Sequence, residues 1–429
     1  MKNIVIALLC TILSFNAIAQ GTILQPGNAS DVKISSERLK RIDQLLQAQI
    51  DSGLINGAVG LVARDGKIIY YKALGVDDAD KKTPLKTDAI FRIASQTKAI
   101  TSVAVMMLFE EGKFMLDDSV CKYIPAFTNQ QVIDQFNIKD TTYTTKPAKR
   151  AVTIRDLLTH TSGIDYTLIG SDTMKAIYAK AGIPAGFVLS DPMLLSNAMN
   201  KLGKLPLRHQ PGEQFTYGLN IYVLGYLVEV VSKMSLDQFL QQRLFKPLGM
   251  EDTYFYLPPS KYSRLVTVYS EDDKHHLRKW GENDWPYVSI NYPTAKGTYF
   301  SGGGGLSSTI RDYAIFLQML LNGGQYNGQR ILSKHTVDLM TSNQIGNIPW
   351  NDPQFSLDRC GLGFVITTKA GQARLGQSEG SFEWAGIYNT FYWVDPKEKL
   401  VCLLFTQQLP FSWNLDDKYK VAVYQALDD

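Results

Sequence analysis

The segment 91–109 constrains this chain most, because it predicts a buried helix with a serine and a lysine near its start. The apolar residues after Lys98 go nearly all the way round a helix, which indicates a central helix and not a surface one. Ser95 is expected at the first turn, with Lys98 three residues later on the same face. Burial lowers the pKa of a lysine, and the helix N-terminus favours negative charge beside Ser95. We therefore interpret Ser95 as a candidate nucleophile and Lys98 as its base or proton relay.

The composition suits a soluble globular protein with a large core. The chain has 429 residues, of which 45% are hydrophobic and 20% charged, enough for one large domain or two intertwined ones. The formal net charge of +3 is too small to argue for nucleic acid or a charged membrane surface as a partner. Of the four cysteines, Cys10 lies in the N-terminal apolar run and should be removed with it. The remaining Cys121, Cys360 and Cys402 are too few for a disulfide framework, so the core must stabilise the fold.

The N-terminus has the pattern of a secretory signal peptide. Lys2 precedes an apolar run over residues 4–18 that ends in Ala17-Ile18-Ala19, and these small residues predict cleavage after Ala19. The alternative is an uncleaved anchor, although the run is short for a membrane span. The signal pattern leads us to expect a secreted or periplasmic protein. Because no other segment is long and apolar enough to cross a bilayer, we expect no stable membrane insertion.

Hydrophobic patterns place strands and helices at both ends of the chain around a mostly helical middle. Residues 34–50 have the spacing of an amphipathic helix, and residues 58–63 and 67–74 flank Asp65-Gly66, a strong hairpin signal. Residues 152–269 are mostly helical in pattern, and 270–295 are interpreted as a loop. Helices are predicted at 310–321, 333–340 and 416–426, and β-structure at 361–367, 384–393 and 400–406.

These elements predict an α+β fold, with an antiparallel sheet flanked by N- and C-terminal helices and an inserted, mostly helical domain. The predicted boundaries are a signal peptide at 1–19, an α/β sandwich domain formed by 33–110 and 295–429, and the inserted domain at 111–294.

Two other serines have motif-like surroundings. Ser119-Val120-Cys121-Lys122 is a second Ser-x-x-Lys copy, but it runs into Pro125, which places it in a loop or short turn. Gly376-Gln377-Ser378-Glu379-Gly380 fits the elbow of α/β-hydrolases, a fold that requires a histidine after the serine. The last histidine, His335, precedes Ser378, so we interpret that segment as a glycine-rich turn.

Several further motifs surround these candidates along the chain. They are Ser95-Gln96-Thr97-Lys98, Leu116-Asp117-Asp118, Lys122-Tyr123-Ile124-Pro125, Ile154-Arg155-Asp156-Leu157-Leu158-Thr159-His160-Thr161-Ser162-Gly163, Pro211-Gly212 with Tyr217, residues 302–308, and Trp393-Val394-Asp395-Pro396. Together they resemble the serine β-lactamase and penicillin-binding protein superfamily, in its class C-like branch. That branch holds class C β-lactamases, D-alanyl-D-alanine carboxypeptidases, D-aminopeptidases and family VIII carboxylesterases. The resemblance covers residues 34–410.

The resemblance implies a serine nucleophile, Ser95, with Lys98 and Tyr217 sharing proton transfer. Tyr217 matches the tyrosine of the Tyr-x-Asn element, but the asparagine stands one position late, at Asn220, which we assign to substrate binding. Esterases of the branch often lack that asparagine, so the departure favours them. His160 is interpreted as a structural residue at a helix end.

The third family element, Lys-Thr-Gly on an edge strand, is missing from this chain. Lys369-Ala370-Gly371 keeps a lysine in a turn-rich stretch, whereas Trp384-Ala385-Gly386 opens a strand and resembles the Trp-Gly-Gly variant of the esterases. We prefer the second segment as the substrate-binding strand. The resemblance then implies an oxyanion hole formed by the backbone N–H groups of Ser95 and Ile387.

No cofactor is predicted. Residues 302–305 are no phosphate loop, because no Gly-Lys pair is followed by Ser or Thr, and we expect a tight backbone passage near the site. His275 and His276 lack partners at metal spacing, so no metal site is predicted.

The predicted function is a secreted serine hydrolase that forms an acyl-enzyme, and a small carboxylic ester is the first substrate hypothesis. An amide hydrolase, meaning a β-lactamase, D-alanyl-D-alanine carboxypeptidase or D-aminopeptidase, is the alternative. A penicillin-binding protein without turnover is the third hypothesis. The residues do not determine the oligomeric state.

Overall fold

The computed structural model describes residues 22–184, 194–281, 284, 289–350 and 356–428. The predicted signal peptide at 1–19 therefore lies outside the described residues. Within them, no helix combines the length and apolar character needed to span a bilayer.

The elements are numbered in chain order. The strands are β1 (Gln25–Pro26), β2 (Gly57–Arg64), β3 (Lys67–Asp78), β4 (Thr83–Pro84), β5 (Phe91–Arg92), β6 (Gln131–Asn137), β7 (Thr142–Pro147), β8 (Tyr269–Glu271), β9 (Leu277–Lys279), β10 (Ser307–Ser308), β11 (Gln325–Tyr326), β12 (Gln329–Arg330), β13 (Arg359–Cys360), β14 (Val365–Ile366), β15 (Phe382–Gly386), β16 (Thr390–Asp395) and β17 (Leu400–Phe405). The helices are α1 (Ser36–Asp51), α2 (Thr97–Glu110), α3 (Ile154–Leu158), α4 (Asp172–Lys180), α5 (Leu195–Leu202), α6 (Asn220–Ser232), α7 (Leu236–Leu240), α8 (Lys246–Leu248), α9 (Ile310–Leu321), α10 (Lys334–Met340), α11 (Lys369–Leu375) and α12 (Trp413–Tyr424).

The main sheet is built from both ends of the chain. Its described strands follow the order β1-β3-β2-β17-β16-β15-β14-β13, and β4 pairs with β3 outside that series. Only β1 and β3 are paired in parallel, and the other pairings are antiparallel. The predicted α+β fold with an antiparallel sheet and terminal helices is thus confirmed, while the exact domain boundaries stay a prediction.

Helices cover both faces of this sheet, which explains why strand β2 is apolar on both of its sides. Val59 and Leu61 point into one core together with α2 and α9, whereas Ala58 and Val62 point into the second core with α1 and α12. Because side chains alternate along a strand, an apolar sequence on both sets of positions requires cover on both sides.

Helix α2 is the central element that the sequence predicted. Every residue from 97 to 108 is buried, which explains why its apolar residues are not confined to one stripe. The helix ends at Glu110, and Gly112 follows with a φ of 68°, a left-handed conformation that glycine adopts without steric cost.

Three sequence predictions of local structure were wrong. Residues 384–393 form no single strand, because β15 and β16 are separated by a turn in which Asn389 has a φ of 57°. The apolar Ile387 and Tyr388 occupy that turn and pack on Ala94, so the sequence stays apolar across it. Residues 270–295 contain the hairpin β8–β9, and residues 369–375 form α11 in place of a turn-rich stretch.

Candidate active site

Ser95 lies on a short 3-10 turn, Ala94–Gln96, between β5 and α2. Residues 89–94 and 96–108 are buried, whereas Ser95 is partly exposed. Ala94 has a φ of 43°, a left-handed conformation uncommon for a residue with a Cβ and typical of strained functional turns. The turn therefore presents one hydroxyl at the accessible end of a buried helix.

Lys98 and Tyr217 both contact that hydroxyl. The Ser95 Oγ lies 3.0 Å from Lys98 Nζ and 2.8 Å from Tyr217 OH. The structure thus brings together the serine, lysine and tyrosine that the sequence nominated. Lys98 stands three residues after Ser95, in the first turn of α2, while Tyr217 lies in the loop before α6.

The environment of Lys98 favours a neutral amine. Its side chain is fully buried, and its Nζ donates to Gly303 O at 2.6 Å and to Tyr166 OH at 3.1 Å. In the described part of the chain no carboxylate pairs with it, so burial lowers the pKa of Lys98 well below its ordinary value. An amine that donates to two neutral oxygens keeps its lone pair for the proton of Ser95.

Tyr217 has the opposite shift. Burial raises the pKa of Tyr217, and the hydrogen bond to Ser95 and the Trp384 side chain partly oppose that rise. Tyr217 is therefore a neutral phenol at rest, which suits a relay between Ser95 and Lys98 better than a permanent tyrosinate. Lys98 Nζ lies 4.9 Å from the centre of the Tyr217 ring, where a positive charge formed during the reaction is attracted to the ring.

The pH profile of the reaction follows from the state of Lys98. Protonation of Lys98 removes the base, so kcat/KM for a neutral ester should fall as the pH drops through the lowered pKa of this lysine. We expect a rate that is already at its plateau near neutral pH, measured with a buffer series at constant ionic strength. A rise centred near the ordinary lysine value of about 10.4 would contradict a neutral Lys98.

The glycine run at 302–305 supplies the carbonyl that orients Lys98. Gly303 O accepts from Lys98, and Gly302 O accepts from Thr101 Oγ1 at 2.7 Å. A Cβ on Gly303 would lie 2.0 Å from the ring of Tyr222, which no side chain tolerates without movement. The expected tight backbone passage is present at this position.

Gly303→Ala should therefore reduce kcat by more than its loss of folding stability would cause on its own. The added methyl must displace Gly303 or Tyr222, which moves the carbonyl that Lys98 needs, and overpacking of this kind typically costs about 1–3 kcal/mol of unfolding free energy. We expect kcat to fall at least roughly tenfold. Gly203→Ala is the control, because it places a Cβ 2.8 Å from the Phe127 ring at the end of α5. Equal losses of kcat in the two variants would contradict the role of Gly303.

Strand β15 runs directly beside the Ser95 turn. A Cβ on Gly386 would lie 2.3 Å from Ile93 O, so only glycine allows this approach. Ile387 packs on the cluster that contains Ala94. Lys369, in contrast, is exposed at the start of α11. Trp384-Ala385-Gly386 is thus the segment that the fold brings to Ser95, and the oxyanion hole of Ser95 and Ile387 stays a prediction.

Asn220 does not lie where a substrate-binding residue is expected. Its side chain is fully buried; its Nδ2 lies 3.0 Å from His160 Nδ1, and its Oδ1 accepts from Ser162 Oγ. Because protein groups already occupy both ends of this amide, the prediction of substrate binding by Asn220 is corrected to a role within the scaffold.

Sequence reasoning missed two tyrosines, Tyr166 and Tyr222. Tyr166 OH contacts Lys98 and lies 3.0 Å from Tyr222 OH, and the rings of Tyr166 and Tyr217 are 5.2 Å apart. Tyr166 stands three residues after Gly163 of a matched motif, but no local spacing predicts its contact with Lys98.

The rival candidates lie apart from this arrangement. Ser378 is buried, its backbone N–H donates to Asp395, and the strand β15 follows it where an elbow requires a helix. Ser119 contacts Cys121 Sγ at 3.0 Å. Over the described ranges no group of His, Cys, Asp or Glu side chains has metal-binding geometry, and His275 and His276 pair with Glu271 and Asp272.

A partly exposed serine between a tyrosine and a buried lysine of lowered pKa, beside strand β15 of this sheet, defines a serine hydrolase. The chain belongs to the β-lactamase family, since the family model described as Beta-lactamase matches residues 42–425. This confirms the resemblance to the serine β-lactamase and penicillin-binding protein superfamily.

Relatives and solved structures agree with this membership. The chain is 28% identical over 379 residues to Esterase EstB of Burkholderia gladioli, covering 85% of this chain and 89% of that protein. It is 27% identical over 422 residues to a Salmonella typhimurium protein named as a proposed D-alanyl-D-alanine carboxypeptidase, and the match covers 94% of this chain and 90% of that protein. Its fold is similar to that of EstCE1, a hydrolase with promiscuous acyltransferase activity, with a TM-score of 0.77 and 27% identity. This match covers 92% of this chain and 99% of EstCE1.

Proposed function

We propose that this protein hydrolyses small, uncharged carboxylic esters through an acyl-enzyme on Ser95. Tyr217 and Lys98 take the Ser95 proton as Oγ attacks the carbonyl carbon, and they pass it to the leaving alcohol oxygen. The same pair then takes a proton from the water that releases the acid. We assign the oxyanion hole to the backbone N–H groups of Ser95 and Ile387, and one such donor typically contributes about 3 kcal/mol.

The ester preference rests on assigning Trp384-Ala385-Gly386, by resemblance, to the place of Lys-Thr-Gly, and the close approach of Gly386 to Ile93 O supports that assignment. A lysine there would give a substrate carboxylate a charged hydrogen bond, worth about 1.5–3 kcal/mol or roughly ten- to a hundredfold in binding. Trp384 offers no positive charge, so a substrate carboxylate would lose water without this compensation.

Aromatic rings extend this apolar wall. The Trp384 ring lies 5.8 Å from the rings of Tyr217 and Trp350, and Trp350 stacks on Phe215 at 4.0 Å. Trp384 and Trp350 are each 7% exposed. Uncharged aromatic surroundings of this kind favour an alkyl or aryl group of an ester over the carboxylate of a β-lactam or a peptide C-terminus.

An amide hydrolase is the second candidate. The similarity to the Salmonella protein supports it, because a D-alanyl-D-alanine carboxypeptidase cleaves the amide bond before a C-terminal residue that carries a free carboxylate. It requires a cation other than the missing lysine to hold the peptide carboxylate.

We also propose that the protein is exported, as a class C-like enzyme with cleavage after Ala19. The N-terminal pattern of Lys2 and the apolar run supports this. Mass spectrometry of the protein recovered outside the cytoplasm should find Gln20 as the first residue. Recovery of the full chain in the cytoplasm would contradict export.

The test of substrate class compares turnover of a short-chain aryl ester, a chromogenic cephalosporin and a D-alanyl-D-alanine peptide by one enzyme preparation. We expect kcat/KM for the ester to exceed that for both carboxylate substrates by at least roughly a hundredfold. Mass spectrometry should find the acyl group on Ser95. Faster turnover of the cephalosporin or the peptide would overturn the ester proposal and favour the amide hydrolase.

Trp384→Phe and Trp384→Lys refine this comparison. Phenylalanine keeps an aromatic ring at this position and should keep most of the ester activity. Lysine restores a cation and should reduce the ratio of kcat/KM for the ester to kcat/KM for the cephalosporin. If Trp384→Lys leaves the ratio of the two kcat/KM values unchanged, charge at this position does not determine the preference.

A further inference from the structure

Two chain segments meet beneath the candidate site, and each delivers a tyrosine to it. The first runs over 159–166 and ends in Tyr166, and the second runs over 208–220 and contains Tyr217. Three backbone hydrogen bonds join them: Thr216 N–H to His160 O at 2.7 Å, Gly212 N–H to Thr161 O at 2.8 Å, and Arg208 N–H to Gly163 O at 2.8 Å.

His160 lies at the centre of this junction. It is fully buried and has a φ of 57°. Its Nδ1 lies 3.0 Å from Asn220 Nδ2 and 3.4 Å from the backbone N–H of Gly218. Both neighbours are donors, so Nδ1 accepts, and the ring proton is on Nε2.

Asn220 completes the junction from the other side. Its Oδ1 accepts from Ser162 Oγ, and its Nδ2 lies 3.4 Å from the carbonyl oxygens of Ile164 and Thr216. One amide therefore holds the loop before α6 to the segment that carries Tyr166. This accounts for an asparagine that is buried so close to the site without facing it.

These contacts act on Tyr217 in two ways. Gly218 is the residue directly after Tyr217, so the His160 bond holds the peptide that sets the direction of the Tyr217 side chain. The His160 ring also packs against the Tyr217 ring, with 5.0 Å between their centres. Lateral movement of Tyr217 away from Ser95 is therefore opposed by both a hydrogen bond and a ring contact.

We propose that His160, held by Asn220, is a positioning residue that keeps Tyr217 OH within reach of Ser95 Oγ. The inference rests on the proposed function only in that Tyr217 moves the proton of Ser95. His160 is not the proton carrier, because burial lowers the pKa of His160 well below its ordinary value.

The test compares His160→Leu with His160→Asn, each made in the native chain and in a Tyr217→Phe chain. Leucine removes the acceptor, whereas asparagine can place an oxygen near the position of Nδ1 and tolerates a positive φ. We measure kcat and KM for a short-chain aryl ester, the melting temperature, and the rate at which an aryl phosphonate labels Ser95.

In the native chain, His160→Leu should lower kcat and the labelling rate roughly a hundredfold with KM nearly unchanged, because it removes most of the contribution of a positioned proton carrier. In the Tyr217→Phe chain the same substitution should lower kcat and the labelling rate by less than about twofold, since the hydroxyl that His160 positions is gone. His160→Asn should retain kcat within about fivefold. Thr253→Val, which loses side-chain bonds to Asp312 and Ser308, controls for a loss of stability alone.

The proposal would be overturned if His160→Leu lowered kcat equally in the native and the Tyr217→Phe chains, or if it left kcat of the native chain unchanged. If His160→Leu does not fold, Ser162→Ala provides a milder release of Asn220, and its loss of rate must again vanish in the Tyr217→Phe chain. Because the phosphonate reports on Ser95 whatever the natural substrate is, failure of the ester proposal leaves this test intact.

Discussion

Ser95→Ala is expected to abolish ester turnover and every covalent adduct on the protein. The Oγ is the only atom between Lys98 and Tyr217 that can form the acyl bond, so a loss of at least about 10⁴-fold in kcat is expected. The fold should remain, because Ser95 is partly exposed and, among the described residues, its hydroxyl bonds only Lys98 and Tyr217. Turnover of an aryl ester and intact-protein mass spectrometry measure both effects.

Two matched serine variants control this result. Ser119 begins the second Ser-x-x-Lys copy, and Ser378 stands in the Gly-x-Ser-x-Gly segment. Ser119→Ala and Ser378→Ala should leave turnover and labelling nearly intact. Loss of activity in Ser378→Ala with an unchanged fold, or a residual adduct in Ser95→Ala, would show that another residue is the nucleophile.

Lys98→Met should remove the base while keeping the volume of the side chain. We expect acylation of Ser95 to slow by roughly 10³–10⁴-fold, the upper range for a positioned general base. The stability should change little or increase, because methionine removes the cost of a buried amine without a counter-ion, against the loss of a donor to Gly303 O. Stopped-flow acylation and thermal unfolding report the two quantities separately.

Lys122 provides the matched control, since it occupies the same place in the second Ser-x-x-Lys copy. Its amine is exposed and pairs with Asp118, so Lys122→Met should change neither rate nor stability appreciably. A near-normal acylation rate in Lys98→Met would remove this lysine from the mechanism, and Tyr217 alone would then have to accept the proton.

Local patterns predicted the elements with strong periodicity or a strong turn signal correctly. Helices α1, α2 and α9 and the hairpin β2–β3 follow from periodicity and from Asp65-Gly66, all of which act within a few residues. The turn between β15 and β16 escaped prediction because Ile387 and Tyr388 are apolar for a tertiary reason, their packing on Ala94. An apolar residue indicates that a position is buried, but it does not distinguish a buried strand from a buried turn.

The sequence by itself determined the pair Ser95 and Lys98, since the two stand three residues apart at the start of a helix whose periodicity is visible in the chain. It also indicated Tyr217, through the resemblance of its surroundings to the Tyr-x-Asn element. Only the tertiary structure decided what makes Lys98 a neutral base: the carbonyl of Gly303 and the hydroxyl of Tyr166 come from segments 205 and 68 residues away. The same holds for His160 and Asn220, because a contact between distant segments depends on packing that no local spacing encodes.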